Sequence, residues 1–142
     1  MGQKAVETKI NGGKEVAFTK AFSSFSVNDL HKAKKFYGEM LCLEIRNEEE
    51  GIGLEFEDGQ IVFLYPKDDH QPATFTVLNL TVDNIVTAVD ELIGRGIKFE
   101  SYGGEMETDD KGIFWGKKSG HGPNIAWFKD PAGNILSVIE DQ

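Results

Sequence analysis

Residues 124–139 read Asn-Ile-Ala-Trp-Phe-Lys-Asp-Pro-Ala-Gly-Asn-Ile-Leu-Ser-Val-Ile, and this stretch decides the fold. Two apolar segments flank a five-residue turn at 130–134, which is the pattern of a hairpin of two strands. A weaker copy lies upstream, where 54–60 leads into the apolar segment 61–65. A chain that repeats its own strand–turn–strand unit indicates a doubled module.

The repeat extends to the segment before each hairpin. Phe25-Ser-Val-Asn-Asp-Leu30 aligns with Leu80-Thr-Val-Asp-Asn-Ile85 at a spacing of 55 residues. In each copy an apolar strand ends at an Asn/Asp pair suited to capping a helix, and apolar residues then recur at helical spacing. The sequence therefore predicts two βαβββ modules, an α+β fold.

The turn residues divide these modules into elements. Strands are predicted at 20–27, 43–48, 52–57 and 60–65 in the first module, and at 74–82, 97–102, 124–129 and 134–140 in the second, with a polar, glycine-rich stretch at 103–122. The predicted organisation is an N-terminal extension 1–17, a first βαβββ module 18–66, a linker 67–73 and a second βαβββ module 74–142. The extension contains a hairpin-type turn at 11–13 and an apolar segment, 16–18, that could begin a strand. We expect the modules to form a curved eight-stranded mixed sheet around a cleft, a usual place for a small-molecule site.

Length and charge narrow the function classes. The 142 residues suffice to bury a core without disulfides or metal, and the net charge of −9 argues against nucleic acid and anionic membranes as partners. The same charge is compatible with a cationic ligand. The single cysteine, Cys42, cannot form an internal disulfide, so we expect a reducing, cytoplasmic location. No apolar run approaches the ~20 residues that span a bilayer, and the N-terminus lacks a signal-peptide core.

Two motifs resemble a known family. Residues 25–37, Phe-Ser-Val-Asn-Asp-Leu-His-Lys-Ala-Lys-Lys-Phe-Tyr, are similar to the first strand and helix of the vicinal oxygen chelate superfamily, and 127–134, Trp-Phe-Lys-Asp-Pro-Ala-Gly-Asn, to its closing signature. The superfamily includes glyoxalase I, extradiol dioxygenases, methylmalonyl-CoA epimerase, fosfomycin resistance enzymes and bleomycin-binding proteins. The resemblance covers about 20–140 and implies a homodimer, because family members often pair modules across subunits. One fold hosts many chemistries, so the resemblance alone does not assign an activity.

The family's enzymes hold a divalent metal with one His, Gln or Glu from each of four strands. The resemblance carries those positions onto Phe22, Phe63, Val77 and Ser137, of which only the serine offers an oxygen. A shift of one residue exposes no better set. The sequence therefore predicts a member without metal ligands, and no cofactor.

Strand alternation predicts what lines the cleft instead. The candidate ligand-binding residues are Phe22, Ser24, Phe63, Tyr65, Val77, Asn79 and Ser137, with Trp115 and Trp127 at the rim. Such a lining suits a small, partly aromatic organic ligand held by stacking and a few hydrogen bonds. The alternative is that these side chains fill the space.

Three hypotheses on function stay open. The first is a metal-free protein, similar to the glyoxalase and bleomycin resistance proteins, that binds a small molecule. The second is a lyase, isomerase or dioxygenase that uses an atypical metal site at His121, Glu105, Glu107 or Glu140, or His121 as a base. The third is a non-catalytic subunit with a filled cleft. Catalytic residues are unassigned, with His121 a weak candidate. We expect His31 and His70 to be solvated and Cys42 to be a buried apolar residue.

Overall fold

The computed structural model describes residues 15–141, which fold into two four-stranded sheets with helices on one face of each. The strands of the first sheet are β1 (Ser23–Val27), β2 (Glu44–Glu48), β3 (Gly51–Glu55) and β4 (Ile61–Pro66). Those of the second are β5 (Thr76–Val82), β6 (Ile113–Trp115), β7 (Asn124–Lys129) and β8 (Ile135–Glu140). The helices are α1 (Leu30–Lys34), which continues as a π-helical turn (Lys35–Met40), α2 (Ile85–Gly94) and α3 (Gly116–Ser119), with a 3-10 turn at Gly104–Met106.

The two sheets share one topology. Their strand orders are β1-β4-β3-β2 and β5-β8-β7-β6, and in each the two strands named first run parallel while the remaining neighbours are antiparallel. The α+β class and the paired βαβββ modules are confirmed. The eight strands form two separate sheets and not one continuous sheet, so β1 and β5 are edge strands within the chain.

Equivalent caps begin the two main helices. The side chain of Asp29 accepts a hydrogen bond from the Lys32 amide at 3.1 Å, and that of Asn84 accepts one from the Thr87 amide at 3.0 Å. Each cap satisfies an amide that has no partner inside its helix. After α2 the chain turns at Gly96, whose φ of 99° lies in the left-handed region that glycine adopts without strain.

The prediction of a strand at 97–102 was wrong, because in that segment only Phe99 bridges to Phe128. The short strand β6 lies in the polar, glycine-rich stretch 103–122, where no strand was predicted. A turn built on Asp109 precedes this strand. Asp109 Oδ1 accepts hydrogen bonds from the Lys111 and Ile113 amides at 2.9 Å. This turn directs the chain to run beside β7. Its polar residues are typical of a loop, so the sequence pattern did not indicate the strand that follows.

The N-terminal predictions had mixed outcomes. The segment 16–18 is not a strand, and Val16 and Phe18 are exposed. The turn at 11–13 lies outside the described residues, and the module boundaries stay a prediction. Within the part of the chain that the structure describes, no helix is long and apolar enough to cross a membrane.

The modules meet at a buried contact between the π-helical turn after α1 and the β7–β8 turn. The Tyr37 hydroxyl donates to Asp130 Oδ2 at 2.7 Å, and the rings of Phe36 and Phe128 lie 6.2 Å apart. Asn134 Nδ2 donates both to Asp130 Oδ2, at 3.0 Å, and to the Ser26 carbonyl, at 2.9 Å. We call Tyr37, Asp130 and Asn134 the joint. It fixes the second hairpin against the first module.

Candidate functional site

The first sheet carries part of the predicted lining on the face that lies away from its helix, here called its open face. Val27 and Leu64 point into the core, so the alternate residues of β1 and β4 point away from it. In register, Ser24 lies beside Phe63 and Ser26 beside Tyr65. The Phe63 and Tyr65 rings are stacked, with centroids 6.1 Å apart and planes 18° apart. Two half-buried aromatic rings and two hydroxyls therefore share this face. Phe22, which precedes β1, is 64% exposed.

The second sheet carries a matching open face. Asn79 and Trp127 both lie beside Ser137 in the strand register. Ser137 is fully buried, and its hydroxyl donates to Asn79 Oδ1 at 2.6 Å. The register shifts between Thr76 and Leu78, which sets Val77 out of the regular pairing. This face therefore carries the Trp127 indole and the Ser137–Asn79 pair, whose two side chains are hydrogen-bonded to each other.

Trp115 lies apart from these faces. It lines a smaller cavity of about 460 Å³ together with Glu105, Glu107 and Lys118. Its indole N–H donates to Asp109 Oδ2 at 3.0 Å. Burial opposes ionisation of Asp109, but hydrogen bonds from Ile113, Trp115 and Lys111 outweigh it and hold the pKa of this carboxyl below its usual value. Trp115, the last residue of β6, is thus hydrogen-bonded to the turn at Asp109 that precedes this strand.

A larger groove of about 1090 Å³ lies between residues of both modules. Its apolar lining includes Leu43, Phe56, Val62, Leu78, Leu80 and Leu92. Its acidic lining is Glu44, Glu55, Glu57, Asp58, Asp83 and Glu91. None of the described residues that line it is Lys, Arg or His. Consecutive residues of β5, among them Asn79, contribute to it, so the groove reaches the free edge of that strand.

The charges of this groove are poorly compensated. Glu44 and Glu55 stand directly opposite each other on β2 and β3, and neither carboxylate forms an ion pair or hydrogen bond with a residue of the described chain. Like charges in this position destabilise a sheet. Of the six carboxylates, only Glu91 has a salt-bridge partner, Arg95. A surface that combines apolar area with unpaired carboxylates suits an organic cation.

Two further sequence interpretations need correction. Cys42 is exposed, with a φ of 57°, and lines the groove, because the chain turns sharply after the π-helical turn. His70 is half-buried, with Nδ1 2.6 Å from the Ser26 hydroxyl and Nε2 3.0 Å from the Ala132 carbonyl. Sequence alone showed a histidine in a polar connection. The pairing became visible only when the fold brought β1 and the β7–β8 turn to it.

Two other candidates for catalysis, His121 and Glu140, lie in a surface turn and beside the start of a helix. His121 is exposed in the turn after α3. Glu140 accepts hydrogen bonds from the Ile85 amide at 3.0 Å and from Asn124 Nδ2 at 2.8 Å. The Ile85 contact is the main cause that lowers the pKa of Glu140. Glu140 thus supports the start of α2.

A metal does not fit the four positions that the resemblance indicates. Phe22, Phe63 and Val77 have no donor atom, and the Ser137 hydroxyl is committed to Asn79. Over residues 15–141, no group of three or more His, Cys, Asp and Glu side chains is placed to hold a metal ion.

Comparison with known proteins gives one family. The model of the Glyoxalase/Bleomycin resistance protein/Dioxygenase superfamily matches residues 21–138. The comparison with curated proteins finds no match.

Several solved structures share the fold. A glyoxalase family protein from Bacillus anthracis is 18% identical, with a TM-score of 0.61, over 90% of this chain and 100% of its own. The fosfomycin resistance protein FosX from Listeria monocytogenes is 14% identical, with a TM-score of 0.61, over 89% of this chain and 96% of its own. TnmS3, an antibiotic binding protein from Streptomyces sp. CB03234, is 20% identical, with a TM-score of 0.59, over 90% of this chain and 100% of its own. At these identities the likeness shows the fold alone.

Proposed function

The chain belongs to the Glyoxalase/Bleomycin resistance protein/Dioxygenase superfamily, and we propose that it is a metal-free member that binds a small, partly aromatic organic cation. The observation that carries this proposal is the groove, whose apolar lining and six carboxylates occur together without a basic side chain. An organic cation would bury apolar area there and also relieve the repulsion between Glu44 and Glu55.

The aromatic part of the ligand is inferred from the open faces. Phe63 and Tyr65 present stacked, half-buried rings, and Trp127 lies on the corresponding face of the second sheet. Offset stacking of a planar ligand on such rings contributes about 0.5–1.5 kcal/mol beyond the area that it buries. Asn79 belongs to both regions, because it lies on the open face of β5 and also lines the groove. We therefore treat the groove and the open faces as one binding region.

The names of two structural relatives agree with a small-molecule role. FosX is a fosfomycin resistance protein and TnmS3 an antibiotic binding protein. Their sequences differ too much from this chain to transfer a ligand. They support the class of function, a protein that meets small organic molecules, and a cytoplasmic location is part of the same proposal.

We further propose that the protein acts as a homodimer. Two of the four edge strands in the described chain, β1 and β5, occupy equivalent ends of the two sheets, and exposed edges of this kind favour pairing with another chain. Phe22 and Phe75, which precede these strands, are 64% and 67% exposed. A second copy would cover these aromatic rings and add a wall to the binding region. Sedimentation equilibrium at micromolar concentration should give twice the chain mass of 15.8 kDa, and a monomer at that concentration would contradict the proposal.

Binding can be tested with two planar probes of opposite charge. Ethidium, a planar aromatic cation, should bind the protein, whereas the planar anion 8-anilinonaphthalene-1-sulfonate should bind much more weakly. The double variant Glu44→Gln, Glu55→Gln should weaken ethidium binding about 3- to 10-fold, since each partly exposed charge contributes up to about 1 kcal/mol. Fluorescence titration at low ionic strength measures both affinities.

The double variant Glu49→Gln, Glu50→Gln is the matched control, because Glu49 and Glu50 are exposed carboxylates in the same module that do not line the groove. It should leave the ethidium affinity unchanged. Equal weakening in the control would mean that only the net charge matters. Failure of both probes to bind would contradict the binding function and favour a non-catalytic subunit with a filled cleft.

A further inference from the structure

A serine and a histidine form a pair on the open face of the first sheet. Ser26 Oγ lies 2.6 Å from His70 Nδ1, and His70 Nε2 lies 3.0 Å from the Ala132 carbonyl oxygen. The three groups come from β1, from the connection between the modules and from the β7–β8 turn. They are brought together only by the tertiary fold.

The hydrogen bonds fix the proton on the imidazole. The Ala132 carbonyl can only accept, so Nε2 carries the hydrogen that is donated to it. In the neutral ring Nδ1 is then the unprotonated nitrogen, and the Ser26 hydroxyl donates to it. A hydroxyl on the unprotonated nitrogen of an oriented imidazole is an arrangement that activates a serine nucleophile, and here Nδ1 is the base nitrogen and a neutral carbonyl is the orienting group.

The position of Ser26 is also held from the backbone side. Asn134 Nδ2 donates to the Ser26 carbonyl at 2.9 Å, and Asn134 is itself fixed by Asp130 in the joint. Ser26 is half-buried beside Tyr65 in the strand register, and Phe63 and Tyr65 form a stacked aromatic wall on the same face. A carbonyl group of a ligand stacked on this wall would lie near the Ser26 hydroxyl.

We propose that Ser26 and His70 form a nucleophile–base pair that transfers an acyl group from a small carboxylic ester with an apolar or aromatic acyl part. The proposal rests on the proposed function in one respect, because the ester would have to enter the same binding region. It adds a reaction to that region, and it assigns a role to a histidine in the connection between the modules.

The reaction balances with water as the second substrate. Ser26 Oγ attacks the ester carbonyl while its proton passes to His70 Nδ1. The bond to the alcohol then breaks, and the alcohol leaves with that proton, so Ser26 carries the acyl group as an ester. Water attacks this ester and gives a proton to His70 Nδ1. The carboxylic acid is released as that proton returns to Ser26 Oγ.

Covalent labelling tests the pair without knowledge of the natural substrate. Diisopropyl fluorophosphate forms a phosphate ester with activated serines and releases fluoride. In the wild-type protein, peptide mass mapping should find the label on Ser26 and not on Ser24, which lies on the same face of β1, is more exposed and lacks a histidine partner. Ser26→Ala should abolish labelling. His70→Gln should slow it at least about 100-fold, the lower range of a general-base contribution.

Controls separate chemistry from structure. Ser101→Ala, at an exposed serine elsewhere, should leave the labelling rate unchanged. Equal labelling of Ser24 and Ser26, or no labelling of either, would overturn the proposal in the wild-type protein alone, whatever His70→Gln does to folding. Normal ethidium binding with no label would reject the nucleophile–base pair and leave the proposed binding function standing. A label on Ser26 without ethidium binding would support the pair and contradict the proposed binding function.

Discussion

The joint and the groove differ in how their carboxylates are paired. In the joint the buried Asp130 carboxylate accepts hydrogen bonds from the Tyr37 hydroxyl, from the backbone and side-chain amides of Asn134 and from the Ala132 amide. In the groove, Glu44 and Glu55 stand opposite each other, and their carboxylates have no partner in the described chain. Burial demands satisfied polar groups, whereas unsatisfied charge at an accessible surface is tolerated and is available to a ligand. The difference separates the part that holds the modules together from the part that we propose binds.

The largest effect should come from removing the centre of the joint. Asp130→Ala leaves the Tyr37 hydroxyl and two backbone amides without their acceptor, and it removes one of the two acceptors of Asn134 Nδ2. We expect a loss of about 3 kcal/mol in the free energy of unfolding, because several buried donors lose their partner together. Urea denaturation at pH 7 measures it.

Asp110→Ala is the matched control for this prediction, since Asp110 is an exposed aspartate. Its effect should stay within about 0.5 kcal/mol. If the two variants lost similar stability, the joint would not be the element that fixes the modules.

A second, smaller effect concerns Tyr37→Phe, which keeps the ring and removes the hydroxyl that donates to Asp130. The expected loss is about 1.5 kcal/mol at pH 7, typical of a hydrogen bond to a charged group. Burial raises the pKa of the Tyr37 phenol far above its ordinary value, and the Asp130 charge and hydrogen bond raise it further. The folded protein therefore keeps this proton at a pH where the unfolded chain, with a tyrosine pKa near 10, has lost it.

The pH dependence distinguishes this account from a simple packing effect. The contribution of Tyr37 to stability should be constant below about pH 10 and decline as the pH rises above that value. Urea denaturation between pH 8 and pH 11 should show a smaller alkaline decline for Tyr37→Phe than for the wild-type protein. Parallel curves for the two proteins would contradict the assignment.

The two modules and the second hairpin could be predicted from sequence, whereas the contacts of the joint and the groove could not. The repeat and the caps at Asp29 and Asn84 are local patterns, so they correctly predicted both modules and the second hairpin. Alternation along β1 and β4 correctly placed Ser24 and Phe63 on one face. Such patterns depend on neighbours along the chain, which a single sequence displays.

The remaining features depend on contacts between distant segments. Glu44 and Glu55 belong to turns and strand ends whose composition is typical of solvated surface, and only the β2–β3 register sets them opposite each other. His70 acquires its partners from residues 44 and 62 positions away in sequence. The strand β6 was hidden because a turn built on Asp109 precedes it in a polar stretch. A single sequence contains no record of these pairings.

The smallest expected effect tests whether the groove, unlike the joint, contains carboxylates that repel each other. Glu44→Lys places a cation opposite Glu55 and should raise the free energy of unfolding by about 0.5 kcal/mol, because it replaces a repulsive cross-strand pair with an attractive one. Glu44→Gln, which only removes the repulsion, should raise it less. Both gains should shrink in 1 M NaCl, where the Debye length is about 3 Å. The same lysine should weaken ethidium binding more than the glutamine does. If Glu44→Lys instead lowered stability, the two carboxylates would not repel each other in the folded protein. A cationic ligand would then relieve no repulsion in the groove, which contradicts the proposed preference for a cation.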